Sequence, residues 1–297
     1  MNKADRRFSS THAVRFALLI AVALLASGCQ DIRTLREAQE VFNKGATLDN
    51  AHLHGQIASR YSSGELDRGP FPPSPKLYYA ETLEILAEID DEAITQDGLM
   101  GSKLVLQALA QWKMGEYEPD QYEEALKSRT QALEYVKEID TRDRIMMLAL
   151  PGLVRADEMH DLATGEELPK MSDINDLAST GSNGAVKPFS DAILAAKKQP
   201  IEIYLRRGIL AFHANHVQAL GRFIDPPHPD YQGDKKLELI QSAKAVKDNA
   251  QTQITELLKA MRAMQESLSL REALFEVERN FWAMKFGIEP GNIPIPQ

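Results

Sequence analysis

The sequence predicts an all-α fold: stacked antiparallel helical hairpins ending in one long C-terminal helical hairpin. Three observations carry this. Alternating Val, Ile and Thr runs joined by Asn-Gly or Asp-Gly turns, the mark of paired strands, are missing from the 297 residues. Apolar residues instead recur at three- and four-residue steps in one segment after another. Two helix ends also match at an offset of fifty residues: Leu83-Glu84-Ile85-Leu86-Ala87-Glu88-Ile89-Asp90 and Leu133-Glu134-Tyr135-Val136-Lys137-Glu138-Ile139-Asp140 share five of eight residues. Repetition on this scale points to helical hairpins laid side by side.

The elements follow in order. Leu77 to Ile89 is apolar at 79, 80, 83, 86 and 87, one face of a helix. Leu104, Ala108, Gln111 and Trp112 open a second helix, which Gly115 ends. Tyr122, Ala125, Leu126, Arg129, Ala132, Leu133 and Val136 make a third. Arg144 to Val154 is apolar, with an expected break at Pro151-Gly152. Ile201 to Phe223 is a long apolar-rich helix that stops at Asp225-Pro226-Pro227. Between Lys235 and Glu266, Ile240, Ala243, Lys247, Ala250, Ile254, Leu257, Met261 and Met264 step alternately by three and four, a heptad seam. That seam suits the inside of a hairpin better than a coiled-coil dimer, being rich in Ala and Met. Ser269-Leu270-Arg271-Glu272 fits a capping box, opening a last helix that carries Leu274, Val277, Phe281 and Met284 and ends at Gly287.

Polar, proline-rich stretches separate these helices. Gly64 to Pro75 holds four prolines, Gly165 to Pro188 is polar and small, and Asp225 to Gly233 holds three prolines. The loop 165–188 is a candidate sub-boundary within the helical domain. The tail Gly287 to Gln297, with Pro and Ile alternating, is expected to lie extended along the helices.

Composition bounds the function. Lys and Arg number 34 against 43 Asp and Glu, a net charge of −9. An acidic balance argues against nucleic acid, which needs a basic face. No apolar run approaches the ~20 residues that span a bilayer. With Cys29 as the one cysteine, an internal disulfide is impossible and stability must come from packing.

The first 28 residues read as an address. Lys3, Arg6, Arg7 and Arg15 are followed by eleven uncharged apolar residues, Phe16 to Ala26. As a helix that run is about 17 Å long, too short for a hydrocarbon core of about 30 Å, so it reads as a secretory signal. Its end, Leu25-Ala26-Ser27-Gly28-Cys29, resembles the lipobox of bacterial lipoproteins, with Ala26 where leucine is commonest. The resemblance implies cleavage before Cys29 and lipidation of its thiol and new amino group. Gln30 after the cysteine, rather than Asp, implies sorting to the outer membrane, with the chain on its periplasmic face. Several acyl chains at about 0.8 kcal/mol per buried methylene make such an anchor permanent. Residues 29–34 are then a short lipidated tether and 35–297 the helical domain.

A second resemblance lies within the repeat. Lys113-Met114-Gly115-Glu116-Tyr117, then Tyr122-Glu123-Glu124-Ala125-Leu126, then Ala132-Leu133-Glu134 and Asp140 resemble a tetratricopeptide (TPR) repeat. Glu118-Pro119-Asp120-Gln121 departs from it as an insertion in the turn, and the proline expected after the second helix is missing. The likeness covers Ser102 to Asp140 and half a unit before it. It implies a TPR-like stack whose small residues let paired helices approach closely.

Candidate chemistry is sparse. His213 and His216 share a helix face, and Asp225, His228 and Asp230 follow it. These types suit zinc or another divalent metal. H-x-x-H lacks the Glu of the H-E-x-x-H motif, however, so a helix surface and a loop that happen to hold three His is the preferred reading. Gly181-Ser182-Asn183-Gly184 lacks the Gly-Lys-Ser/Thr of a phosphate loop, and neither a Cys-x-x-Cys-His nor a G-x-S-x-G motif occurs. No catalytic residue and no cofactor is assigned. Tyr78, Tyr79, Trp112, Tyr117 and Tyr122 are candidates for a partner-binding groove, with plain core packing as the alternative.

These features together predict a non-catalytic, lipid-anchored envelope protein, a helical-repeat adaptor for a protein or peptide partner. The alternative is a small-solute-binding or delivery component like the TPR-containing T-component of tripartite ATP-independent periplasmic transporters.

Overall fold

In a computed structural model of the chain, the structure describes residues 30–49, 74–181, 184–226, 228–264 and 268–295. The signal segment, Cys29 and most of the proline-rich stretch before Pro75 lie outside the described residues. Among the described residues there are eleven α-helices and no strand. None of these helices is long and apolar enough to cross a membrane. The chain divides into two compact units between Asp140 and Thr141.

The first unit is an up-and-down row. Helix α1 covers residues 30–49, so the stretch expected as a tether is helical from residue 30. Helix α2 (Pro75–Ala87) runs antiparallel to it, and a short α3 (Asp91–Gln96) follows. Then come α4 (Met100–Gly115) and α5 (Gln121–Ala132), with a 3-10 turn at Leu133–Tyr135. Asp90 starts α3 as an N-cap, its carboxylate accepting from Glu92 N at 2.8 Å and Ala93 N at 3.0 Å. Ala38, Leu86, Ile89, Ile94 and Leu106 form one core between α1, α2, α3 and α4. Lys103 of α4 is buried and donates to the Ile89 carbonyl at 3.2 Å, closing the end of the α2 segment. Its ammonium also pairs with Asp91.

Helices α4 and α5 approach closely because Gly115 lacks a Cβ. One placed there would sit 2.2 Å from Tyr122 Cε1. Further along the pair, Ser128 Oγ donates to Gln111 Oε1 at 2.7 Å, a buried bond between the two helices. The two halves of the fifty-residue repeat agree at their last two residues but not before them: Leu86 is buried in α2, while Val136, past the 3-10 turn, is 40% exposed. Ile89 and Ile139 are both buried, and Asp90 and Asp140 both stand immediately before a helix.

The second unit contains α6 (Thr141–Thr164), α7 (Met171–Ala178), α8 (Val186–Ala195), α9 (Pro200–Ile224), α10 (Asp234–Met264) and α11 (Leu268–Phe286), closed by a 3-10 turn at Pro290–Asn292. Helix α6 runs through Pro151, where the sequence predicts a break. An interior proline costs about 3 kcal/mol by losing a donor and crowding the previous turn. Burial of Met147, Leu150, Leu153 and Val154 on either side offsets it. Phe189 of α8 fills a slot between Gly152 of α6 and Gly208 of α9, where a Cβ on either glycine would lie 2.9 Å from its ring.

The polar loop 165–188 is not a boundary. It contains α7, whose Ile174 and Leu177 are buried and whose Leu177 carbonyl accepts from Ala185 N at 3.0 Å. Helices α9, α10 and α11 share a core of Leu210, Ala250, Ile254, Leu257, Leu258, Met261, Phe275, Trp282, Ala283 and Phe286. The heptad seam therefore packs inside the chain from Ala250 to Met261, with Lys247 and Met264 half-buried and Ile240 exposed at its first step. Ile293 of the tail is fully buried in the same core, and Gln251 donates to the Asn292 carbonyl, so the tail lies along the hairpin, although the 3-10 turn at Pro290–Asn292 interrupts the extended course expected of it.

Candidate functional site

The five aromatic residues proposed for a groove divide between core and surface. Tyr79, Trp112 and Tyr122 are buried, Tyr78 is half-buried, and Tyr117 is 39% exposed. Tyr79 belongs to a polar tie within the first unit. Its hydroxyl donates to Asp49 at the end of α1. Lys113 of α4 stands 3.5 Å from the same carboxylate and 3.0 Å from Glu116, with its ammonium 4.5 Å from the Trp112 ring centre. Burial first, then the bond to Asp49, raises the Tyr79 hydroxyl far above the ordinary phenol range. It stays protonated and acts as a donor, not as a base or nucleophile. Tyr117 is also raised, by burial and then by the Asp49 charge. Lys76 reaches over its ring, 5.9 Å from the centre, and pairs with Glu118 at 3.0 Å. The arrangement joins α1, α2 and α4 rather than lining an aromatic groove.

The three histidines are not gathered into a metal-holding group; among the described residues no cluster of three or more His, Cys, Asp or Glu could hold an ion. His228 sits past the end of α9 against the rings of Phe223 and Tyr231, at 5.7 and 5.8 Å, and its Nδ1 accepts from Asp230 N at 3.2 Å. His213 is no surface residue: it is 5% exposed. Among the described residues, neither of its ring nitrogens has a hydrogen-bond partner. His216, one turn on, is half-buried. Both imidazoles lie by Phe212, with ring centres at 5.5 and 6.2 Å. Burial, and for His213 then the neighbouring His216, lowers both to about 4.

The most unusual surface is on α11. Its core face is Phe275, Trp282, Ala283 and Phe286. Val277, Phe281 and Met284, spaced as one helical stripe, are 66%, 43% and 72% exposed. The helix is held in this rotation by Glu278. That carboxylate takes two bonds from Arg207 of α9, at 2.8 and 2.7 Å, and one from Trp282 Nε1 at 2.9 Å. The periodicity of the sequence gives Leu274, Val277, Phe281 and Met284 as the apolar set of this helix; Leu274 packs against the core and the other three face solvent. The signal for the opposite choice was Trp282 with Glu278 four residues earlier, a ring whose N–H finds its acceptor on its own helix.

Compared with protein-family models, with curated proteins and with solved structures, the chain matches none.

Proposed function

We propose that this protein is a non-catalytic adaptor of the cell envelope, tethered by lipid on Cys29, whose TPR-like helical body holds a protein partner. The observation that carries the reading is the apolar stripe Val277, Phe281 and Met284, turned to solvent on a helix whose other side is fully used. Three side chains on one helix cover well under the ~800 Å² per partner of a stable interface. That area suits reversible contact with a short amphipathic helix of a partner, read through anchors one turn apart, rather than a permanent dimer. The repeated helical hairpins of the first unit and the lipobox-like Leu25 to Cys29 support the same reading.

The test has an anchor arm and a surface arm. Cys29→Ala should abolish palmitate labelling. A chain starting at Gln30 behind a cleavable secretory signal should be recovered in the soluble periplasm. Absent labelling of the wild type, or a truncated form that still pellets with membranes, would remove the anchor from the proposal. For the surface, a photo-crosslinker at Phe281 should yield one defined adduct in cells. The adduct should vanish with Val277→Glu and Met284→Glu and persist with Leu194→Glu, a substitution at an exposed leucine of α8. An adduct insensitive to the stripe substitutions, or no adduct at all, would refute the adaptor reading.

A further inference from the structure

Helix α9 is the central element of the second unit, packed against α6, α7, α8, α10 and α11. It carries Leu205, Ile209, Leu210, Phe212, Leu220 and Phe223 into the interior. His213 is buried among these apolar residues, with no hydrogen-bond partner for either nitrogen among the described residues. His216 follows at the next turn, and one phenyl ring, Phe212, lies by both. A buried imidazole with no partner is costly while neutral and far more costly as a cation, because nothing nearby replaces the water that would solvate the charge.

The charged groups of the surrounding elements do not rescue it. On α9 itself Glu202 pairs with Arg206 at 2.8 Å, Arg207 is taken by Glu278 of α11, and Arg222 donates to the Leu162 carbonyl at 2.8 Å. On α6, Arg155 pairs with Glu158, Asp161 lies near His160, and Asp157 has a partner of its own. On α8, Lys187 pairs with Asp191; on α10, Lys259 with Glu256; on α11, Arg279 with Glu276. The neighbouring His216 acts on His213 and opposes its protonation.

We propose that His213 and His216 form an acid-triggered release: protonation of the pair drives α9 out of its packing and opens the second unit, while the first unit keeps its fold. The direction follows from proton counting. Between the ordinary imidazole value of 6.5 and the lowered value of about 4, the opened chain binds more protons than the packed one. Stability from the neutral pair is therefore complete above pH 6.5 and is lost as pH falls toward 4. At pH 5 the opening equilibrium rises by about thirtyfold for each imidazole. The device does not depend on the proposed anchor or partner.

The chain supplies its own reporters, one buried tryptophan in each unit: Trp112 in the first and Trp282 in the second. Full-length Trp112→Phe and Trp282→Phe proteins isolate the two signals. Denaturant midpoints are read by fluorescence at pH 7.5 and pH 5.0. The Trp282 midpoint should fall steeply at pH 5.0 and the Trp112 midpoint should move little. In a His213→Leu/His216→Leu protein the Trp282 midpoint should become nearly independent of pH over this range. Parallel loss of both units, an unchanged Trp282 midpoint, or an undiminished pH dependence in the double variant would each overturn the proposal. Should the double variant not fold, the imidazole Cε1 proton resonances of the wild type decide, assigned by single His→Gln changes. His213 and His216 should stay neutral to about pH 5. Ordinary titration near 6.5 would end the argument.

Discussion

Replacing Gly115 by Ala tests the closest approach in the first unit. A Cβ at this position lies 2.2 Å from Tyr122 Cε1, 2.3 Å from Cδ1 and 2.8 Å from Cγ. Carbon atoms attract best at about 3.5–4.0 Å, so the ring must retreat by roughly an ångström or more. It has little room to do so. Tyr122 is buried, and the clash reaches Cγ, next to the α5 backbone. Overpacking of this kind costs about 1–3 kcal/mol. Alanine recovers up to about 1 kcal/mol of helix propensity, and less at the last residue of α4. A net loss of about 1–2 kcal/mol corresponds to a fall of about 5–15 °C in a unit of this size. The measurement is thermal unfolding followed by Trp112 fluorescence in the Trp282→Phe background. In a Tyr122→Ala background the same substitution should be nearly neutral, because the two positions are coupled through contact. A Gly115→Ala protein as stable as its parent, or equal effects in both backgrounds, would show that α4 and α5 are not held together by this contact.

Two further substitutions probe the ends and clamps of helices. Asp90→Ala removes two acceptor contacts at the start of α3 and should cost about 1 kcal/mol, read as a lower Trp112 midpoint. Glu278→Ala leaves the Arg207 guanidinium and Trp282 Nε1 without their shared acceptor. It should cost about 1–3 kcal/mol and lower the Trp282 midpoint, leaving that of Trp112 in place.

Much of the helix order was legible because caps and breakers agree with periodicity. Gly115 ends α4, Asp225 ends α9, and Gly287, with a φ of 61°, ends α11. The fifty-residue repeat marked more than a pair of helix ends. Its second Asp, Asp140, stands at the division between the two units, a boundary the polar composition of 165–188 disguised. That stretch has turn chemistry at Gly165 and Gly184, but two apolar residues, Ile174 and Leu177, suffice to fold α7 back onto its unit. Pro151 misled for a related reason. A local breaker predicts a break only where the flanking turns have nothing better to pack against, and those of α6 are buried on both sides.

The candidate sites were harder to read because a period identifies faces without saying which neighbour covers each. Helix α11 carries two apolar sets, 274/277/281/284 and 275/282/283/286, and both satisfy helical spacing. The choice between them is made off the helix, by Arg207 of α9 gripping Glu278 and by the α10 seam receiving Phe275 and Trp282. His213 is the converse case. On a helix wrapped by five others a polar residue has few open faces, so its type suggests solvent while its position buries it. An exposed apolar stripe and an unpartnered buried imidazole are the two places where residue type and environment disagree. Each disagreement lowers the stability of the isolated chain. A partner helix of the kind proposed would recover the stripe's cost by covering it; a proton would multiply the imidazole's. The first is therefore the natural position for recognition and the second for release.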